Sequence, residues 1–536
     1  MHTVGRLLQV GRPVRTLAVI GVAALVAAGC GSGRTDDEGG GSSILVGTTD
    51  KVVTLDPAGA YDQGSYTPMN NVYSFVMNYA PGGTEPEPDA AEKCEFAEPK
   101  IYRCTLESGL KFANGNPLTA KSVKHSMDRI LKINDANGPA ALLGGLERTE
   151  ATSDTVVDFH LKNANDQTFP QVLVTNAGPI ADEKVFPADR LLDDDAIVKA
   201  RPFSGAYTIE SYKKNELIDY KANPDYQGIL GKAQTERITV KYYASGENLK
   251  LETQEGRIDL GIRSFSPTDI DSFRKNDKLK VSEGPGGALR YMVFNMNTMP
   301  GGTPEQKLAV RKAIASSVDR QALADGVYKG TYSPAYSPVP SSFPGATDAF
   351  KIYGEKPNRD AASKFLADAG VPAPVAINLQ YNPDHYGESS DEEYAAIKSQ
   401  LESSGLFTVN LQATEWVTYQ KERTKDAYPV FQLGWFPDFP DADTYLTPLF
   451  GPNNNLQNHF DNPAINELLV KETTEPDKNK RIEVLKQVQD ELARNHIPML
   501  PLLTGNEVAV SGTNIDGVDK TLDISFKIRY TTLTKK

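Results

Sequence analysis

Short runs of alternating apolar and polar residues recur along the chain from Ile44 onward, interleaved with longer runs of helical spacing. The strand-like runs are ILVG (44–47), AYTIESY (206–212), ELIDYK (216–221), RITVKYY (237–243), RYMVFN (290–295), VAINLQ (375–380), TVNLQAT (408–414) and PVFQLG (429–434). Each is bounded by Gly, Pro, Asn or Asp, the residues that end strands. Helix starts and stops are equally readable. Thr119 precedes AKSVKHSMDRILKI, in which Val123, Met127, Ile130 and Leu131 share a face. Asp360 opens AASKFLADA and Gly370 closes it, and Ser390 opens DEEYAAIKSQLES with Gly405 after it. Pro476 leads KNKRIEVLKQVQDELARN, with Ile482, Leu485, Val488 and Leu492 on one stripe. There is no internal repeat, and the mixture predicts an α/β fold with mixed sheets. Two places read as crossings between domains: Gly284-Pro285-Gly286-Gly287 ahead of RYMVFN, and PMLPLL (498–503) after the last long helix. A segment that enters a second lobe near the first and returns near the second has about 220 residues, the size of one domain. Two crossing strands can act as a hinge.

The one long apolar run lies at the N-terminus. Thr16 to Ala28 follows Arg6, Arg12 and Arg15 and precedes Gly29-Cys30. A cationic head, a short apolar body and a small-residue exit make residues 1–29 a secretory signal peptide, too short for a comfortable membrane span. Ala27-Ala28-Gly29-Cys30 resembles a bacterial lipobox, with Ala27 where Leu is commonest, so Cys30 is expected to be lipidated and to begin the mature chain. A soluble secreted protein cut near the same place is the alternative. Residues 30–43 then form a lipid-anchored flexible tether, Gly/Ser-rich and without an apolar residue to bury. Cys94 and Cys104, on the outer side of the membrane, flank Pro99-Lys100 between two strand-like halves. A hairpin there would bring both thiols to one edge, so a disulfide is expected.

With 57 Lys plus Arg against 70 Asp plus Glu, the net charge of −13 argues against nucleic-acid binding, which needs a clustered basic surface. The 536 residues exceed what one core usually supports. No G-x-S-x-G, H-E-x-x-H or P-loop motif occurs, the six histidines are scattered, and the Gly-rich turn at 284–287 is too weak for a phosphate cradle. Neither an enzyme, a metal site nor a cofactor is expected.

The run GLKFANGNPLTAKSVKHSMDRIL (109–131) resembles the signature of family 5 extracellular solute-binding proteins, the large receptors of peptide-type ABC importers. Further matches follow in the family's order: SGAYTIESYKKNELIDYKANPDY (204–226), RYMVFNMNT (290–298), AVRKAIASSVDRQALADGVYKG (309–330), EWVTY (415–419), GWFPDFPDADTYLTPLF (434–450) and HIPMLPL (496–502). Where this chain has Cys94 and Cys104 the family usually has a Trp and a Phe, so two facing apolar residues are replaced by a cysteine pair. The resemblance implies a large two-lobed, periplasmic-binding-protein-like α/β fold of the cluster C type, with an extra subdomain in the first lobe and two hinge crossings. The implied basal lobe covers 44–75, 191–285 and 504–536, the inserted subdomain 76–190 and the second lobe 286–503. It further implies a peptide ligand, a membrane permease with its ATPase subunits as partners, attachment to the outer face of the cytoplasmic membrane, and a monomer.

In GWFPDFPDADTYL the family's pattern of Trp, two residues, then Asp falls on Trp435 and Asp438. In peptide-binding members that Asp pairs with the ligand's α-ammonium, and Asp438 is the leading candidate here; otherwise it is a turn residue. Asp441 and Asp443 read as helix-start residues. Trp416 and Tyr419 of EWVTY, with Trp435, are aromatics that could line a pocket or fill a core. DPAGAYDQGSYTPMNNVYSF (56–75) resembles the family's first binding loop and nominates Tyr61, Gly64 and Ser65. Dipeptide-binding members carry an Arg after the strand corresponding to VAINLQ, whereas YNPDHYGESSDEEY (381–394) contains no Arg or Lys. A longer peptide therefore fits better than a clamped dipeptide. Receptors of the same fold for oligosaccharides or nickel chelates are the alternatives, nickel being disfavoured by the sparse histidines, and an exported hydrolase is the reading from another class.

Overall fold

The structure, a computed structural model, describes residues 43–263, 265–387, 389–524 and 526–536. The signal segment, Cys30 and the tether up to residue 42 lie outside them. No helix among the described residues is long and apolar enough to cross a membrane.

The chain opens with β1 (Ser43–Thr48) and α1 (Gln63–Val72), which starts at Asp62 because that carboxylate accepts from the Ser65 amide at 2.8 Å. It then builds a four-stranded antiparallel sheet from β2 (Ala91–Glu98), β3 (Ile101–Leu106), β4 (Leu146–Ala151) and β5 (Val156–Leu161), in the order β2-β3-β5-β4. Helix α2 (Ala120–Ile133) packs on this sheet, and Thr119 and Ser122 close a reciprocal capping box at its start. Val123, Met127 and Ile130 are buried, while Leu131 is 38% exposed. One residue past Ile130 is a rotation of about 100°, enough to carry Leu131 off the shared face expected for it. Cys94 and Cys104 are paired across the β2–β3 ladder and joined by a disulfide.

Apart from four two-residue strands that pair into two small sheets, the remaining strands are β6 (Tyr207–Lys213), β7 (Leu217–Ala222), β8 (Arg237–Tyr242), β9 (Leu260–Ile262), β10 (Leu279–Phe294), β11 (Tyr332–Pro334), β12 (Val375–Tyr381), β13 (Phe407–Ala413), β14 (Val430–Trp435) and β15 (Met499–Gly512). With β1, strands β6 to β15 form one mixed sheet of eleven strands, ordered β13-β12-β14-β10-β15-β9-β1-β8-β7-β6, with β11 beside β15. Helices α3 (Pro267–Phe273), α4 (Arg359–Asp368), α5 (Ser390–Ser403), α6 (Asp443–Phe450) and α7 (Lys478–Glu491) matter below. Three caps differ from the sequence expectation: the residue ahead of α5 is Ser389, one before the expected Ser390, and it makes no side-chain cap bond. Asn358 rather than Asp360 caps α4, its side chain accepting from the Ala361 amide at 3.0 Å, and Asp477 caps α7. Asn offers the same short acceptor as Asp, so composition alone does not choose between neighbours.

The fold is a large two-lobed α/β one. Ile44, Val46, Ile238 and Leu260 belong to one core, and the inserted four-stranded sheet with α2 has another. The second half of β10 is buried on both faces: Met292 and Phe294 enter one core, Leu289, Tyr291 and Val293 a second. That alternation is the period-2 geometry of a strand sandwiched between helical layers. β10 and β15 are the longest strands and run antiparallel along each other, from Leu279–Gly512 to Val293–Met499, with a register shift between Gly284 and Ala288. Gly286 sits in that shift against β15, where a Cβ would lie 1.3 Å from the Gly505 carbonyl oxygen; only glycine allows the two backbones this close.

Candidate functional site

Strand β14 ends at Trp435 and runs into the turn Phe436-Pro437-Asp438. The first turns of α6 hold it in place: the Asp438 amide donates to Thr444 Oγ1 at 3.1 Å, and Trp435 Nε1 donates to the Thr444 carbonyl at 2.8 Å. The Asp438 carboxylate, partly accessible, accepts a hydrogen bond from the Tyr61 hydroxyl on the loop before α1. Burial pushes this carboxyl above its ordinary range; the Tyr61 bond and the nearby Lys527 ammonium act against that. Lys527 is fully buried, donates to the Val174 carbonyl at 2.6 Å, and is pushed down to about 7 by burial and then by Arg529.

Beside this contact lies a cavity of about 610 Å³, in the range of small-molecule sites. Phe436, two residues before Asp438, and Phe526 meet edge to face at 5.4 Å in its wall. β10 and β15 supply Arg290, Asn506, Glu507 and Val508, and α3 supplies Pro267, Asp269 and Ile270. Arg263 and Phe526, both lining it, hold left-handed backbone at φ 60° and 62°, a conformation costly for side-chain-bearing residues and one that collects at functional sites. Arg263 donates to Asp50 at 2.7 Å and to the Phe526 carbonyl at 2.7 Å, which ties two distant segments together at this wall.

The model of the bacterial extracellular solute-binding proteins, family 5, matches residues 85–457, well over half of the chain. The chain belongs to that family. It is similar to the probable D,D-dipeptide-binding periplasmic protein DdpA of Escherichia coli, with 26% identity covering 83% of this chain and 85% of the relative. It is also similar to the oligopeptide-binding protein OppA of Bacillus subtilis, at 24% over 92% and 94%. Among solved structures, the periplasmic murein tripeptide-binding protein MppA in its unliganded open form superposes with a TM-score of 0.79 at 19% identity, over 92% of this chain and 97% of that one.

Within this solute-binding fold the sequence candidates separate. Asp438 and Tyr61 touch, although 377 positions divide them in sequence. Trp435 is half-buried at the foot of the Asp438 turn. Trp416, half-buried, stacks on His385 with ring centroids 3.7 Å apart. Tyr419 is fully buried, its hydroxyl donating to the Gln432 carbonyl at 2.8 Å, so it fills the core rather than facing a ligand. Gly64 and Ser65 are buried as well. A Cβ on Gly64 would meet the Lys51 carbonyl oxygen at 1.9 Å, and Ser65 Oγ accepts from the Val53 amide at 2.9 Å. Both shape the loop that carries Tyr61. Asp443 begins α6 and Asp441 forms a two-pronged ion pair with Arg481 at 2.6 and 2.8 Å.

Two cavity residues escaped the sequence reading. The loop 381–394 has no basic residue of its own, yet Arg290 reaches it from β10 and donates to the Tyr386 carbonyl. Its guanidinium lies 5.3 Å from the ring centres of Tyr328 and Tyr332 and 3.5 Å from Glu393, while its Nε, though buried, has no hydrogen-bond partner. Glu507, 4% exposed, has an Oε2 atom without a partner, and burial pushes its carboxyl up to about 7. Arg290 opens the RYMVFN run and Glu507 lies just past PMLPLL, but nothing in either run marks a charge that faces a cavity; only the sheet brings the two together.

Proposed function

We propose that this protein is the extracytoplasmic receptor of an ABC importer and that it captures peptides between its lobes and hands them to a membrane permease. The observation that carries the reading is Asp438: a partly accessible carboxylate that accepts a hydrogen bond from the Tyr61 hydroxyl, with Phe436 and Gln63, two residues from Asp438 and Tyr61 respectively, in the wall of a ligand-sized cavity. A peptide's α-ammonium can supply the full positive counter-charge that Tyr61 only partly provides, as a charge-assisted bond. Arg290, stacked on tyrosines with one N–H free, can meet the ligand's carboxylate. The relatives named for oligopeptide and dipeptide binding support the same ligand class. In this reading Tyr61, Trp435 and Trp416 frame the peptide end held by Asp438.

The lobes divide at the shift in β10 and β15, the basal one comprising 44–75, 191–285 and 504–536, the second 286–503, and the inserted subdomain 76–190. Cys30 carries the lipid that holds the monomeric receptor at the outer face of the membrane. The receptor binds and releases without chemistry.

The test is a cycle on Asp438. Asp438→Asn is expected to weaken binding of a free tetrapeptide such as tetra-alanine by about 2 to 5 kcal/mol, the usual effect of truncating one partner of a buried charge pair. N-acetylation of the peptide should cost the wild type a similar amount and the variant almost nothing, because both changes delete the same bond. Equal binding of acetylated and free peptide by the wild type, measured by calorimetry, would return Asp438 to the role of a turn residue.

A further inference from the structure

We infer that Glu507 makes the cavity selective for a peptide carrying a basic side chain, lysine or arginine. This rests on the peptide reading above and adds to it a preference that neither the Asp438 contact nor the family requires.

The observations come from the wall itself. Glu507 is 4% exposed, lines the cavity and has a carboxylate oxygen with no hydrogen-bond partner. A buried, unpaired acceptor is costly, and in a binding cavity it is met by a donor on the ligand. The nearest cation pairs with it only at long range: Arg263 Nε stands 4.0 Å away, beyond hydrogen-bond range and itself without a hydrogen-bond partner, while the two other guanidinium nitrogens donate to Asp50 and the Phe526 carbonyl. The surrounding charge points the same way. The cavity's ionisable residues are Glu247, Arg263, Asp269, Arg290 and Glu507, and their ion-pair partners are Asp50, Lys250 and Glu393. Five acids against three bases leave an excess of two negative charges when all are ionised. The rest of the lining is aromatic: Tyr332, Tyr386, Phe265, Phe436 and Phe526 offer ring faces and apolar walls to the methylene stem and charged head of a long basic side chain. Glu507 shares this lining with Phe436, which lies two residues from Asp438, at most about 7 Å of backbone.

Asp523 also acts on Glu507, raising its pKa together with Asp50 while Arg263 lowers it. A cation arriving beside this group favours its ionised form, so binding of a basic peptide should release a proton near pH 6 and none near pH 8.

Calorimetry on the purified full chain decides the matter, with tetra-alanine variants carrying lysine at each of positions 2, 3 and 4 and norleucine at the same positions as the neutral match. At one position lysine should bind at least tenfold tighter than norleucine to the wild type at pH 8, the advantage should shrink at pH 6, and Glu507→Gln should reduce it to threefold or less. If both series bind and the ratio is near one at every position, or survives unchanged in Glu507→Gln, the assignment to Glu507 is overturned while the peptide reading stands. If none of the peptides binds the wild type, the peptide reading falls and this inference with it. The wild-type comparison needs no variant, so a poorly folding mutant would not decide the question.

Discussion

Burial acts in opposite directions on Glu507 and Lys527, and each leaves a distinct trace on stability. Glu507 is raised from 4.5 to about 7. Below pH 4.5 the carboxyl is protonated in folded and unfolded chains alike and costs nothing; between 4.5 and 7 the unfolded chain ionises first, so stability falls as pH rises and stays lowered above 7. Lys527, lowered from 10.5 to about 7, does the reverse: stability is lost as pH falls from 10.5 towards 7. With each pKa unit equal to about 1.4 kcal/mol, Glu507→Gln should gain about 1 to 3 kcal/mol over the wild type at pH 8 and almost nothing at pH 4.5. Urea unfolding of both proteins at the two pH values checks this. A gain of equal size at both would mean that the amide acts through packing and not through the missing charge.

Elements whose ends are fixed by local chemistry were legible from the chain, and those fixed by distant partners were not. Helix α2 announces itself through Thr119 and the Val123, Met127 and Ile130 stripe, and it forms there. β10 reads in sequence as six residues after a Gly-Pro-Gly-Gly turn, yet it extends from Leu279 to Phe294. The turn residues proved to be a register shift inside a continuous ladder, because Gly286 lets β15 approach without a side chain between them. Asp438 is nominated by its motif and Tyr61 by its loop, and the fold sets the two in contact. Tyr419 carries the same aromatic signal as Trp416 but is buried on the inward face of the helix Trp416–Arg423, which the run EWVTY alone does not reveal. Arg290 and Glu507 were not legible at all, since what marks them is an unpaired atom in a wall built from separate strands. The β2–β3 hairpin gives a prediction at this scale. Its disulfide closes a loop of sequence separation 10, for which the chain-entropy account gives about 2 to 3 kcal/mol. Cys94→Ala with Cys104→Ala should lower the unfolding free energy by at least that much, Cys104 being fully buried, and leave tetrapeptide affinity within twofold because the hairpin stands apart from the cavity. A parallel loss of affinity would show that the inserted sheet communicates with the cleft.

At the scale of the whole molecule, the contacts between segments on either side of the cleft include the Tyr61 hydroxyl on Asp438, the edge-to-face meeting of Phe436 with Phe526, the Gln167 amide on the Thr473 carbonyl at 2.8 Å and the Lys478–Glu85 ion pair at 2.9 Å. A hinge of two paired strands opens when such contacts are lost and closes when a ligand replaces them with better ones. One partly solvated hydrogen bond is worth about 1 kcal/mol, which is about a fivefold change in the ratio of closed to open molecules. Tyr61→Phe deletes that bond and keeps the ring. In the absence of ligand the variant should therefore populate open molecules about fivefold more than the wild type, read as a larger mean distance between fluorophores placed on exposed positions such as Lys93 and Lys364 or as a larger radius of gyration in solution scattering. Saturating tetra-alanine should bring both proteins to the same compact state, since the peptide's ammonium then occupies Asp438 in each. Identical distributions without ligand would mean that the Tyr61 contact forms only after the lobes have met for another reason, and the closing bias would then rest on the other contacts, the Phe436 and Phe526 rings and the Gln167–Thr473 and Lys478–Glu85 pairs among them.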